Sequence, residues 1–360
     1  PLYVCYEGYM SQSSFRIGNT DVGNEQKTFI IAELSANHNG SLAKAKESIH
    51  AMKEAGADAV KLQTYTPDTI TLNVRSEHFM IKQGTVWDGK NLHDLYGEAM
   101  TPWEWHEELF ALANTLGMEA FSSPFDNSAV DFLESLNVPA YKIASFEITD
   151  IPLIEYVASK QKPIIISTGI AELSDINEAL EACKRVGNEN VALLKCTSSY
   201  PAPLEEMNLA TVLDMSHRFG VVVGLSDHTM SIEAPCAAVA LGARIIEKHF
   251  ILDRADGGPD SSFSLNPSEF ADMVKAVRNT EALLGGISYE LSEKSKKSRE
   301  FCRTLFVSAD IGEGEKLDAS NIRSVRPGFG ILPKYFKDIT GKIAARDLKA
   351  GEPLDWSMFR

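Results

Sequence analysis

VVVGLSDHT (221–229) and, one helical stretch later, ARIIEKHF (243–250) are continuously apolar runs that each end in polar residues. Strands buried on both faces read this way, and they belong to parallel sheets covered by helices. Working outward, the run recurs at FIIAEL (29–34), AVKLQT (59–64), MEAFSS (118–123), AYKIAS (140–145), PIIIST (163–168) and VALLKC (191–196). Helical stretches alternate with these runs. Ser41–Ala55 carries Leu42, Ala45, Ile49 and Met52 on one face, with Ser41 as N-cap and Gly56 past its end. Pro102–Leu116 opens on Thr101-Pro102, a cap and first-turn pair, and stops at Gly117. Further helices are expected near 127–136, 151–160, 172–186, 205–219, 232–241 and 267–284. Eight strand–helix units over residues 20–284 predict an α/β fold, a (β/α)8 TIM barrel. A doubly wound open sheet is the rival, but the chain lacks a Gly-rich dinucleotide turn.

Around the barrel the texture differs. Residues 1–9 (PLYVCYEGY) precede Met10, match no element and read as a tail added in expression, within an N-terminal tail over 1–19. Gly285-Gly286 and SEKSKKSRE (292–300) read as a linker over 285–300. In the last segment, 301–360, DIGEGEKL (310–317) and DLKAGEPL (347–354) share D-x-x-x-G-E-x-L, which predicts a small pseudo-symmetric β-rich module. Residues 65–100 form an unusually long connection that carries Trp87, His93 and Tyr96. Loops beyond about 12–15 residues tend to be functional or disordered. This one either covers a substrate or is a surface excursion.

The 360 residues carry a net charge of −15 with no Lys/Arg block, which argues against a nucleic-acid partner. No apolar run reaches the roughly 20 residues of a membrane span, so no membrane partner is expected. Cys5, Cys183, Cys196, Cys236 and Cys302 are scattered and form no C-x-x-C pair. Neither a disulfide framework nor a thiolate zinc site follows, and reduced thiols in a cytoplasm fit best.

Barrel enzymes draw their catalytic groups from the C-terminal ends of the strands. Here those ends supply Glu33, Lys61, Gln63, Ser123, Lys142, Ser145, Glu147, Ser167, Tyr200, Ser226, His228, Glu247 and His249. Singly, a Ser or Thr there is a turn former or a cap. Lys61 and Lys142 on separate inner strands, however, require an anion to compensate them, and nearby hydroxyls suit phosphate or carboxylate oxygens. His228 and His249 end adjacent strands and either converge on one ion or are two unrelated polar side chains. Two imidazoles without thiolate suit a catalytic ion with open positions. Asp260, on the GGPD turn (257–260), could ligate or bind sugar hydroxyls, or sit on a turn without function. Glu33 and Glu147 either pair with a lysine or carry protons.

The same residues carry a family resemblance. AELSANHNGS (32–41), KLQTYT (61–66), FSSPFD (121–126), YKIASFEITDIPLI (141–154), STGIAEL (167–173), KCTSSYPAP (195–203), GLSDHT (224–229), EKHF (247–250) and GGPDSSFS (257–264) resemble the sialic acid synthase family. Residues 301–360, with RPGFG (326–330), resemble its antifreeze-like (SAF) domain. The resemblance implies a transferase that condenses phosphoenolpyruvate with an open-chain amino sugar and water, releasing phosphate. KLQTYTPDTIT, FSSPFD and SFEITDIPLI are closest to the branch using 2,4-diacetamido-2,4,6-trideoxy-L-altrose. Leu62, Ser123 and Ser198 depart from the neuraminic acid enzymes, which commonly carry His, Thr and Asn there. Legionaminic or N-acetylneuraminic acid synthesis is the alternative within the family. Outside it stand a Schiff-base aldolase on Lys142 or Lys61 and a non-catalytic sugar-binding protein.

By the same resemblance, His228 and His249 would hold Mn²⁺ or Mg²⁺, with Co²⁺ as a further option. Lys61, Ser123, Lys142, Ser145, Ser167 and Ser226 would bind phosphoenolpyruvate. Gln63, Tyr200, Glu247, Asp260 and Arg326 would bind the sugar, Arg326 from the partner subunit of a domain-swapped homodimer. Glu33 and Glu147 would be the acid/base groups.

Overall fold

The structure, a computed structural model, describes residues 14–23, 26–82, 84 and 87–360. The N-terminal residues 1–9, read above as a foreign tail, lie outside the described residues. Two compact units divide the chain at Gly285/Gly286.

In the first unit, eight parallel strands close into a barrel in the order β10-β3-β4-β5-β6-β7-β8-β9. They are β3 (Phe29–Glu33), β4 (Ala59–Thr64), β5 (Glu119–Pro124), β6 (Tyr141–Ile143), β7 (Ile164–Ser167), β8 (Val191–Cys196), β9 (Val222–Asp227) and β10 (Ile245–His249). Each falls within an apolar run read from the sequence or differs from it by a residue at the end. Helices on the outside bury the stripe their spacing predicts. In Leu42–Glu54 the buried positions are Ala45, Ser48, Ile49 and Met52, and Ser41 accepts the Lys44 N–H as N-cap. Burying such an Ile or Met side chain stabilises by about 1.5–3 kcal/mol.

Three expectations are corrected. The N-terminal tail over 1–19 is too long, because Phe15–Ile17 (β1) and Thr20–Val22 (β2) form an antiparallel hairpin with Phe15, Ile17 and Val22 buried. Gly18 turns it at φ +56°, a left-handed conformation that favours glycine. The helix expected over Pro102–Leu116 begins as a 3₁₀ turn, Trp103–Trp105, before His106–Thr115. Thr101 does not cap it, because its hydroxyl bonds to His38 Nε2 at 3.2 Å. The 65–100 connection is also not one open loop: it contains helices Pro67–Ile70 and Leu92–Ala99 and a 3₁₀ turn, Glu77–Phe79.

The second unit, Gly286–Arg360, begins with residues read as linker, which include a short helix, Glu293–Ser298. Beyond it, β11 (Thr304–Val307) pairs antiparallel with β12 (Ile322–Val325). The two sequence repeats pair with each other through an antiparallel bridge, Ile311↔Leu348. Their matching residues also cap each other. Asp310 accepts the Ala350 N–H at 2.9 Å, and Asp347 accepts the Glu313 N–H at 2.8 Å. Leu317 and Leu354, at equivalent places, both enter the small core.

Candidate active site

Strand alternation sends every second side chain into the barrel, and the registers Glu33↔Lys61 and His249↔Glu33 set these ends level. Lys61, Lys142, Glu33 and Glu247 meet there, all fully or almost fully buried. Lys61 forms an ion pair with Glu33 and stands 3.6 Å from Glu247 Oε1. Lys142 stands 3.6 Å from the same oxygen. Glu247, assigned to the sugar by resemblance, therefore sits between the two lysines, where it also accepts the Ser226 hydroxyl at 3.2 Å.

Burial pushes Glu33 up to about 7 although Lys61 opposes it. Glu247 goes the other way: burial alone would raise it, but Lys142 and Lys61 together hold it below the usual carboxylate range. Burial likewise works against charge on Lys61, and Glu247 and Glu33 outweigh it. Burial also lowers Lys142, against the pull of Glu247, and an incoming anion would favour the charged form of both lysines. Such a cluster has room for a further negative charge, as a buried anion site requires.

Hydroxyls ring the cluster. Ser123 accepts from Lys61 at 3.4 Å, and Ser145 accepts the Gly169 N–H at 3.1 Å. Ser167 is buried with no partner for its Oγ. Gly169, which sequence reasoning passed over, closes the cradle. A Cβ there would lie 2.1 Å from Ser198 Oγ and 2.8 Å from Ser145 Oγ. Its signal was the glycine directly after Ser167-Thr168, in a segment already singled out for its hydroxyls.

His228, just after β9, and His249, the last residue of β10, have ring centroids 5.5 Å apart. His228 Nδ1 lies 3.0 Å from the Thr197 carbonyl, so it carries the proton and leaves Nε2 as the free acceptor. His249 Nδ1 is buried without a hydrogen-bond partner and lies 3.9 Å from Asp260 Oδ2. Burial, with His228 next in effect, holds His249 well below the usual imidazole range, the neutral form a metal ligand needs. Among the described residues no third His, Cys, Asp or Glu completes a ready-made metal cluster. His228 shifts oppositely to His249: burial would lower it, but Cys196 raises it. One imidazole held neutral with an orphaned nitrogen, beside a second anchored on the Thr197 carbonyl, is a donor set that fits a divalent ion. Cys196, missed from the sequence, lies with Sγ 3.8 Å from His228 Nδ1. Burial would raise its thiol, but His228 draws it down to about 7.

Tyr200 packs its ring 4.5 Å from His228 and 5.0 Å from Phe263, another residue sequence reasoning missed. Asp260 is buried near Ser35 and Ala36, and burial raises its carboxyl despite those bonds. Gln63 is half-buried at the end of β4. Glu147 has one buried carboxylate oxygen without a partner, and burial lifts it to about 7 against the pull of Lys142. Arg326 is exposed just after β12 in the second unit, so the barrel alone does not assemble the whole predicted set.

Among the described residues, Ser167, Glu247, His249 and Glu147 each keep a buried polar atom without a partner, as expected of a site built for ligands. The chain is 51% identical to the pseudaminic acid synthase of Helicobacter pylori over 326 residues, 90% of this chain and 96% of that protein. It is 48% identical to the pseudaminic acid synthase of Campylobacter jejuni over 345 residues, 96% of this chain and all of that one. The crystal structure of the spore coat polysaccharide biosynthesis protein SpsE from Bacillus subtilis superposes with a TM-score of 0.67 at 36% identity, covering 97% of this chain and 99% of that one. The SAF domain matches residues 303–360. With the NeuB family matching residues 48–289, across most of the barrel and its charged mouth, the chain belongs to the NeuB family.

Proposed function

We infer that this enzyme is a pseudaminic acid synthase, joining phosphoenolpyruvate to 2,4-diacetamido-2,4,6-trideoxy-L-altrose and water to give pseudaminic acid and phosphate. The observation that carries this reading is 51% and 48% identity to two pseudaminic acid synthases over nearly their whole length. In the reaction, C3 of phosphoenolpyruvate attacks the sugar aldehyde. Water captures the resulting cation at C2, and phosphate leaves by C–O cleavage.

The geometry supports a role for each group. Lys61 and Lys142 neutralise the phosphate and carboxylate. Ser123 and Ser167 donate to their oxygens, and Ser145 and Ser226 line the same site, Ser226 with its hydroxyl proton on Glu247. The Gly169 N–H donates to Ser145 Oγ at 3.1 Å, which fixes that side chain. Tyr200, Gln63, Glu247 and Asp260 hold the sugar, joined in the homodimer by Arg326 of the partner subunit. His228 and His249 would hold the divalent ion, which when bound polarises the aldehyde oxygen.

Glu147, raised to about 7, suits a proton donor at neutral pH. As the acid it must be protonated, so kcat is full below pH about 7 and declines as pH rises through that value. Glu147→Gln should remove this alkaline limb and lower kcat by about 10²–10⁴-fold. A limb that ascends through the same pH makes Glu147 the base instead.

A homodimer that exchanges C-terminal units completes the proposal. Exposed apolar side chains at Ile287 and Tyr289 support it, since such groups suit burial against a second copy. An active monomer in sedimentation would remove this part. The free thiols of Cys183, Cys196, Cys236 and Cys302 support a cytoplasmic location, to be checked by cell fractionation. Among the described residues no helix is long and apolar enough to cross a membrane.

The functional test is phosphate release from phosphoenolpyruvate with Mn²⁺, supplying the altrose and N-acetylmannosamine in parallel. Turnover with the altrose alone is expected. Turnover with N-acetylmannosamine instead would reassign the sugar.

A further inference from the structure

The mouth has two chemically different sides. One is the ionic cluster of Lys61, Lys142, Glu33 and Glu247. The other is aromatic. Trp87, carried by the long segment after β4, places its ring 5.7 Å from Tyr200. Tyr200 in turn stands 4.5 Å from His228 and 5.0 Å from Phe263, and Phe263 stands 5.0 Å from His249. The indole N–H donates to the Pro259 carbonyl at 3.0 Å, so the ring is anchored to the turn that carries Asp260. An indole donates only through that nitrogen. With it engaged on Pro259, the ring face has only apolar surface to offer a ligand.

Phosphoenolpyruvate, with its several negative charges, belongs on the ionic side. The aromatic side is left to the second substrate. A trideoxy-diacetamido sugar differs from an ordinary N-acetylhexosamine in having a methyl group at C6 and a second acetamido methyl. Those groups lose nothing when water is removed against a ring face. A hydroxyl placed there would be stripped of its water with no partner to replace it.

Resting on the synthase reading above, we propose that Trp87 is a specificity-determining residue of the sugar subsite. Its ring face, continued by Tyr200, packs on the methyl-bearing end of a 6-deoxy acetamido sugar and disfavours sugars with a hydroxyl at C6.

The test compares the unsubstituted enzyme, Trp87→Ala and Trp87→Phe on the 2,4-diacetamido-2,4,6-trideoxy sugar and on its 6-hydroxy counterpart. For Trp87→Ala, kcat/KM for the deoxy sugar should fall at least about tenfold, the scale of one methyl's worth of pocket discrimination. The preference for deoxy over hydroxy sugar should shrink by a similar factor, and Trp87→Phe should recover part of both. The KM for phosphoenolpyruvate should stay within about twofold, far below the tenfold shift, which also shows that the variant is folded. An unchanged deoxy/hydroxy ratio in Trp87→Ala overturns the proposal, as does a parallel rise in both substrates' KM. Failure of the synthase reading looks different: the unsubstituted enzyme would turn over neither altrose derivative. The same three proteins are then compared on 6-deoxy and 6-hydroxy forms of whichever acetamido sugar it does accept, and an unchanged ratio overturns the proposal there too.

Discussion

Replacing Lys61 by methionine is expected to lower phosphoenolpyruvate affinity by about 2–5 kcal/mol, the usual cost of removing one partner from a buried charged set. Turnover should fall on the order of 10²–10³-fold, the scale for losing one aligned cationic or hydrogen-bonding group. The reason lies in the balance of the cluster. Lys61 is ion-paired with Glu33 and stands 3.6 Å from Glu247, so without it only Lys142 faces two buried carboxyls and the incoming anion. Glu33, already lifted to about 7 by burial, would then stay protonated to higher pH. Lys61→Arg should rescue poorly, because the site is almost closed to solvent and a planar guanidinium does not occupy the space of an ammonium. Calorimetric titration with phosphoenolpyruvate decides the matter. A Lys61→Met protein that binds within about threefold of the parent, under 1 kcal/mol, would take Lys61 out of the anion site.

The second large effect is on stability. Asp227 and Lys248 pair at 2.7 Å with both side chains fully buried. They are direct register partners between β9 and β10, and alternation turns them outward, away from the mouth. Lys248 also donates to the Thr229 carbonyl, and Asp227 Oδ1 accepts the Thr229 N–H at 2.9 Å. Either Asp227→Val or Lys248→Met should cost about 3–5 kcal/mol, since each strands a buried charge. The double change Asp227→Val with Lys248→Met should recover much of that loss, because replacing a buried pair by apolar side chains is often neutral. Urea denaturation of the three variants reads this directly. If the double variant is as unstable as the sum of the singles, volume rather than charge controls the site. His228 and His249 are the next residues along each chain, so the single variants should also bind the divalent ion more weakly, measured by equilibrium dialysis.

That pair also shows where sequence reading stopped. Asp227 and Lys248 stood among the polar residues ending the last two strands, but only the register tells which face each takes and that they meet. The eight strands were legible because a strand covered on both sides must be apolar throughout, as β7, IIIS, shows. The β1–β2 hairpin was not legible. Its strands have three residues each, too few for alternation to stand out, and their support comes from Glu119, which accepts the Asn19 N–H 100 positions away. Lys61, Lys142 and the hydroxyls were found because charge in a barrel interior is costly and therefore conspicuous. Glu247 was found, but its position between two lysines depends on three strands at once and was not legible. Thr101 looked like a helix cap and is instead occupied by His38, a distant partner that local patterning does not reveal.

The reciprocal caps of the C-terminal unit carry one more consequence. Each repeat bonds its own turn through Glu315 or Glu352, but Asp310 secures the next N–H of the second repeat and Asp347 that of the first. A fragment ending between them would keep one repeat and lose the aspartate that locks it. The segment holds as a clasp does: its two parts are alike, and each fastens the other.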